Sequence, residues 1–319
     1  MGMLIKGELV DNWLDKEIDE GEFKRMESSF RNWITADGSS DFKAEADRYH
    51  LYVSAACPWA HRTIIFRKLK KLENIIGLSI VEAQMLEQGW TFSASGKYVD
   101  HLHASKFMHE IYTRADQKFT GQITVPVLWD KKENTIINNE SSEIIRMFNS
   151  VFDSFTEVKT DYYPVALRHK IDEINEPIYK NINNGVYRCG FATTQKSYEK
   201  AFARLFNELE NVENILSGNR YLVGDKITEA DWRLFTTLLR FDAVYVGHFK
   251  CNLKRISDYE NLSNYLRELY QMPGIAETVD IDYIKQHYYY SHTSINPTQI
   301  IPKGPGLDFT SPHNRAGKF

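Results

Sequence analysis

Cys57 sits in the segment SAACPWAHR (54–62) and is one of three cysteines in the chain, with Cys189 and Cys251. A β-rich run, RYHLYVSA, precedes it. The stretch CPWAHRTIIFRKLKKLE follows, in which Ile65, Leu69 and Leu72 recur at helical spacing with Lys and Arg on the opposite face. Proline suits the first helical position, because its missing N–H would have had no partner there. A sulfur at the mouth of that helix faces unpaired backbone N–H groups and the positive end of the helix dipole, and both favour thiolate. Cysteines so placed ionise at about 3.5–7.5 instead of about 8.5. A lone cysteine is more often a buried, inert filler. The strand, Cys-Pro, helix order favours the nucleophile here, and His61 and Arg62 one turn on can add positive potential.

The fourth residue of the motif selects the chemistry. A dithiol oxidoreductase would carry Cys at position 60, where this chain has Ala60. A mixed disulfide on Cys57 must therefore await an external thiol, which points to a monothiol enzyme served by a soluble thiol such as glutathione. Two other stretches fit a glutathione site. The VPV of TVPVLWD (124–130) resembles the cis-proline strand of thioredoxin-like folds, in which the residue before proline, here Val125, offers its backbone to a bound peptide. Glu140 and Ser141 open the stretch ESSEIIRMFN at a strand-to-helix junction. N–H groups and a hydroxyl there can hold a carboxylate, and Glu140 an ammonium; a γ-glutamyl group carries both charges. Ordinary helix capping is the competing account of this pair. His101, His103 and His109 have no acidic or Cys partner at metal-ligand spacing, so the segment is expected to be a solvated loop without metal.

The elements that must position these residues fall into two kinds. Residues 1–45 are mixed in character and turn-rich, and are expected to form an N-terminal extension with little regular structure. Over 46–155 the order is strand, helix, strand (GLSIVEA, 77–83), a polar excursion at 84–120, a hairpin (TVPVLWD and NTIIN), then a helix. Beyond 160 strand signals nearly vanish. Apolar residues recur at helical spacing through 165–183, 197–217, 229–246 and 258–271, giving an all-helical domain over 160–292. In GDKITEADWRLF, Thr228 and Asp231 have capping-box spacing, and Ile227 and Trp232 that of a hydrophobic staple. Residues 293–319 hold four of the nine prolines and are expected to be an extended tail.

Composition excludes several classes. With 39 basic against 43 acidic residues the net charge is −4, so no electrostatic footprint of nucleic acid or an anionic membrane shows. The N-terminus has no apolar h-region, and no stretch of about 18 uncharged apolar residues occurs. Few, scattered cysteines fit a reducing compartment, and the expected location is the cytoplasm.

Taken together, CPWA, VPV, the helix start at Glu140, the Thr228 capping box and the helical second half resemble a cytosolic glutathione transferase of the cysteine-containing type. FRNWI, CPWAHR, TVPVLWD, NNESSEIIRMFN, GVYRCGFATTQ, VYVGHFKCN and IKQHYYYSHTSINPTQIIPKGP are similar to the Xi class, the glutathionyl-hydroquinone reductases, from about residue 20 to the C-terminus. The resemblance implies an α/β thioredoxin-like domain followed by an all-α domain. It implies Cys57 as the catalytic thiol, with Val125, Glu140 and Ser141 binding glutathione and Trp90 against the glutathionyl group. Tyr187, Tyr245 and Tyr288 would line a hydroquinone pocket, and the family forms homodimers. Without that resemblance, three dispersed tyrosines read as core packing. The implied activity removes glutathione from an aromatic ring through a Cys57 mixed disulfide that a second glutathione resolves. An Omega-type thiol transferase or dehydroascorbate reductase would share Cys57 but not need the tyrosines, and a non-catalytic interaction module would need neither. Cys189 stands where the family pattern has a small residue such as Ala; an apolar filler is the favoured account of it and of Cys251.

Overall fold

The run RYHLYVSA forms a strand, Tyr49–Val53, in which every residue is buried. The chain leaves it through Ser54–Cys57 and enters α1 (Pro58–Leu69), with Pro58 in the first turn and Cys57 as the N-cap residue. Ile76–Ile80 then returns parallel to the first strand. Val127–Asp130 pairs antiparallel with Tyr49–Val53 on its other side, and Thr135–Asn138 pairs antiparallel with Val127–Asp130. A strand–helix–strand unit with a parallel pair and a hairpin at its edge is the α/β half expected from the sequence.

In this computed structural model, residues 2–10 and 18–319 are described. The chain divides into two compact units, Met1–Lys16 with Met26–Thr160, and Glu17–Arg25 with Asp161–Phe319. The first 45 residues are thus shared between the two. The strands Met3–Ile5 and Glu8–Val10 form a small antiparallel sheet with Gly121–Gln122 in the first unit, while Ile18–Asp19 and Glu22–Phe23 form a hairpin in the second.

The excursion at 84–120 is more ordered than its polarity indicates. It contains the short antiparallel pair Met85–Leu86 and Gly89–Trp90, and α2 (Met108–Ala115), which buries Met108, Ile111 and Tyr112. Two turns of helix are too short for periodicity to stand out among polar neighbours. Nor is the HLH segment a plain solvated loop. Asp100 is buried and accepts backbone N–H groups of Leu102, His103 and Ser105 together with the Tyr52 hydroxyl. Among the described residues no group of three or more His, Cys, Asp or Glu side chains is placed to hold a metal ion.

The second unit is built from α4 (Arg168–Ile178), α5 (Gly185–Gly190), α6 (Gln195–Gly218), α7 (Glu229–Arg240), α8 (Glu260–Tyr270) and α9 (Ile281–Ser291), with a last short turn, α10 (Arg315–Lys318). The capping box at Thr228 and Asp231 is present, and Trp232 is fully buried beside it. Both α4 and α7 continue into π-helical turns, Tyr179–Asn183 and Phe241–Tyr245. The first follows Pro177, which cannot donate to the helical ladder. A π turn inserts one residue and rotates every side chain after it, so it re-aims residues in a way that periodicity does not disclose. The tail is held by hydrogen bonds, Gln271 Nε2 donating to the carbonyls of Phe309 and Ser311 and Lys285 Nζ to that of Lys303.

Candidate active site

In the first unit the α1 mouth and the Val125 turn meet. The Cys57 thiol donates to the Val125 carbonyl over 3.5 Å, and the Val125–Pro126 peptide is cis. The Val125 turn is itself held from behind. Tyr112, from α2, donates its hydroxyl to the Thr124 carbonyl at 2.9 Å and accepts from Asn139 Nδ2 at 3.1 Å, while Asn139 Oδ1 accepts from the Phe30 N–H at 3.0 Å. The buried ring of Tyr112 thereby couples α2, the cis-proline turn and the start of the next helix. Trp90, in the short hairpin of the excursion, is buried.

Glu140 is the N-cap residue of α3 (Ser141–Ser150). One carboxylate oxygen accepts from the Ser142 N–H at 2.9 Å and the Ser142 hydroxyl at 2.8 Å, and the other accepts from Ser28 Oγ at 3.2 Å. Helix capping is therefore real, as the competing account held. A carboxylate has about four lone-pair sites, so capping does not exhaust it. Burial by itself would raise the Glu140 pKa. The Ser142 N–H and hydroxyl, the charge of Arg62 and the Ser28 hydroxyl outweigh it and hold Glu140 below its ordinary value. Arg62 is buried, with its guanidinium 4.6 Å from the centroid of Trp59. Its charge serves the carboxylate, a task the sequence did not disclose. Ser141 is buried at the first position of α3.

The second unit brings the three dispersed tyrosines together. Tyr187 lies on α5, Tyr245 ends the π turn after α7, and Tyr288 lies on α9. The Tyr187 and Tyr288 hydroxyls are 2.6 Å apart and those of Tyr245 and Tyr288 are 3.1 Å apart, so three oxygens form one chain centred on Tyr288. Phe249 packs against all three rings at centroid distances of 5.4–5.7 Å. It reaches them across Gly190, where a Cβ would stand 2.2 Å from the Phe249 ring. Burial pushes the Tyr245 and Tyr288 phenols well above their ordinary value, so both remain hydrogen-bond donors at neutral pH. Cys189 and Cys251 are buried, and burial followed by the adjacent Cys189 pushes the Cys251 thiol well up, as befits an apolar filler and not a nucleophile.

Sequence reasoning missed Ser28, which lies 112 residues from Glu140, and Tyr112, whose partners are Thr124 and Asn139. Neither carries a local signal, since a serine in a turn-rich stretch and a tyrosine in a short helix are ordinary.

A cysteine at the mouth of a helix after a parallel strand, a cis-proline turn beside it, and a second, mainly helical unit define the two-domain glutathione transferase architecture. The family model described as "Glutathione S-transferase, N-terminal domain" matches residues 56–151, and "Glutathione S-transferase, C-terminal domain" matches residues 195–268. The chain is 55% identical over 327 aligned positions, covering all of both chains, to the glutathionyl-hydroquinone reductase YqjG of Escherichia coli strain K12. The glutathione-bound structure of YqjG superimposes with a TM-score of 0.92 at 53% identity, again over all of both chains. A Xi class transferase from Natrialba magadii superimposes with a TM-score of 0.93 at 48% identity, covering 99% of this chain and 97% of that one. The chain belongs to the glutathione S-transferase family, within its Xi class of glutathionyl-hydroquinone reductases.

Proposed function

We propose that the protein reduces glutathionyl-hydroquinones to hydroquinones at the expense of glutathione, with Cys57 as the nucleophile. The observation that carries this reading is the chain of three tyrosine hydroxyls in a protein whose helix-mouth cysteine lacks a second thiol at Ala60. Support also comes from YqjG, a glutathionyl-hydroquinone reductase by name and 55% identical.

An aryl thioether resists thiol attack because an aryl carbanion is too costly a leaving group. Tautomerisation removes the obstacle by making the sulfur-bearing carbon sp³ and adjacent to a carbonyl. The Cys57 thiolate then attacks the glutathionyl sulfur. The S–S bond forms as the C–S bond breaks, and the electron pair passes into the ring as an enolate that takes up a proton. Tyr187, Tyr245 and Tyr288 donate to ring oxygens as that charge develops. The ring gains two electrons, and Cys57 is left as a mixed disulfide with glutathione. A second glutathione thiolate attacks it, releasing oxidised glutathione and the Cys57 thiolate. The net change is one glutathionyl-hydroquinone and one glutathione to one hydroquinone and one disulfide.

Val125, Ser141, Glu140 and Trp90 are the residues we assign to glutathione. The Val125 backbone lies beside the thiol. Ser141 sits at a helix N-terminus suited to a carboxylate, and the ionised Glu140 suits an ammonium. The bound glutathione of the YqjG structure supports this co-substrate. A homodimer in the cytoplasm completes the reading, on the family resemblance; no helix among the described residues is long and apolar enough to cross a membrane.

Intact mass spectrometry after incubation with a glutathionyl-hydroquinone and no free glutathione tests the first half-reaction. The expected result is one glutathionyl group on Cys57 with release of hydroquinone. Hydroquinone release without that adduct would overturn the mechanism. Absence of both, with a small glutathione mixed disulfide still reduced, would leave an Omega-type thiol transferase.

A further inference from the structure

The short N-terminal hairpin that joins the helical unit delivers a cation to the tyrosine chain. Its attachment is specific. The Glu22 carboxylate pairs with Lys200 Nζ at 3.0 Å, the Gly21 carbonyl accepts the Thr193 N–H at 3.1 Å, and Phe23 packs 5.4 Å from Phe191 and 6.3 Å from Tyr187. Directly after it, the Arg25 guanidinium lies over the Tyr187 ring, 4.9 Å from its centroid. Arg25 Nε donates to Asn184 Oδ1 at 2.9 Å, and Asn184 is the buried N-cap residue of α5, the helix that carries Tyr187. Guanidinium, amide and phenol are thus fixed to one short helix.

Resting on the reading that Tyr187 donates to the substrate ring, we infer that Arg25 is a positioning residue for Tyr187, holding the phenol in register and strengthening it as a donor. A cation over the face of an aromatic ring interacts with its π electrons. In a phenol it draws density from the oxygen, which polarises the O–H and stabilises negative charge there. Tyr187 is bonded to Tyr288 over 2.6 Å, so the effect reaches the centre of the chain. The charge of Arg240, at the end of α7, acts on Tyr245 and Tyr288, and Arg25 supplies the counterpart on the Tyr187 face.

The test compares Arg25→Met, Arg25→Lys, Asn184→Ala and Tyr187→Phe in two steady-state assays, reduction of a glutathionyl-hydroquinone and reduction of a small glutathione mixed disulfide. Arg25→Met keeps the apolar stem and removes the charge, and should lower kcat for the hydroquinone about threefold to tenfold while KM for glutathione and the control reaction stay put. Arg25→Lys should recover most of the loss, which a purely steric role would not produce. Asn184→Ala leaves Arg25 in the chain but unties it, and should fall between wild type and Arg25→Met; it decides the matter if the methionine variant does not fold. Tyr187→Phe impaired with Arg25→Met and Asn184→Ala at wild-type rates would overturn the role of Arg25 and leave that of Tyr187. Tyr187→Phe at full rate would overturn both. Equal losses in Arg25→Met and Arg25→Lys, in both assays, would reduce Arg25 to a packing residue.

Discussion

The hydroxyls of Tyr187 and Tyr288 lie 2.6 Å apart although 101 residues separate them in sequence. With Tyr245 at 3.1 Å from Tyr288, they make a three-membered donor chain among residues that burial alone would class as core. In the linear chain nothing but the family resemblance joins them. The geometry supplies one, since buried phenols that are bonded to each other and held protonated can pass a hydrogen bond outward to a ring oxygen.

Replacing any one of the three by Phe keeps the aromatic volume and removes one link. Loss of a single donor aimed at developing oxyanion charge costs on the order of 10²–10³ in rate. With three sharing the task, each variant should lose roughly tenfold or more in hydroquinone reduction. Tyr288, bonded to both others, should lose most. Reduction of a small glutathione mixed disulfide should stay within twofold or so in all three; equal losses in the two assays would point to the fold instead.

Cys57→Ser should abolish both assays with the circular dichroism spectrum unchanged, because a serine hydroxyl is not ionised near neutral pH. Residual turnover above a few per cent would have to come from Cys189 or Cys251, both buried. Ala60→Cys places a second thiol one turn along α1 and should shorten the lifetime of the mixed disulfide in rapid-quench mass measurements.

Glu140→Ala should weaken glutathione binding by about 1–3 kcal/mol, and Ser141→Ala by a similar amount; calorimetry reads both. Glu140→Gln keeps an acceptor for the Ser142 N–H and removes the charge, so it separates capping from ammonium binding. Since the folded-state pKa of Glu140 lies below its ordinary value, the stability it contributes is present above about pH 4.3 and is lost as pH falls through the lowered value. Glutathione affinity unchanged in the Gln variant would leave Glu140 as a helix cap.

Two buried histidines set an acid limit on stability. Burial lowers His50 and His248 to about 4 each. The unfolded chain binds protons below about pH 6.5, before the folded protein does, so stability falls as the pH drops from there towards 4. At pH 5 each histidine should have removed about 2 kcal/mol relative to neutral pH. Denaturant midpoints at pH 7 and pH 5 check this, and His248→Gln should flatten the slope. A midpoint independent of pH in that window would contradict the burial.

Local chemistry made part of this protein legible in its sequence. The Cys-Pro step after a β-rich run marks a helix mouth because proline and an N-cap have fixed backbone demands, and the structure places Cys57 there. The Thr228 and Asp231 box is equally local, satisfied within one turn of α7. The hairpin of Val127–Asp130 and Thr135–Asn138 follows from alternation around a turn signal. Each of these depends on residues a few positions apart. The tertiary structure alone decided the rest. It divided the first 45 residues between two units, assigned Ser28 and Arg62 to Glu140, and put Arg25 on the Tyr187 ring. It also widened α7 into a π turn that aims Tyr245 at Tyr288. Those outcomes rest on contacts between distant segments, whose energy appears only once the chain has closed, and no short-range pattern encodes them.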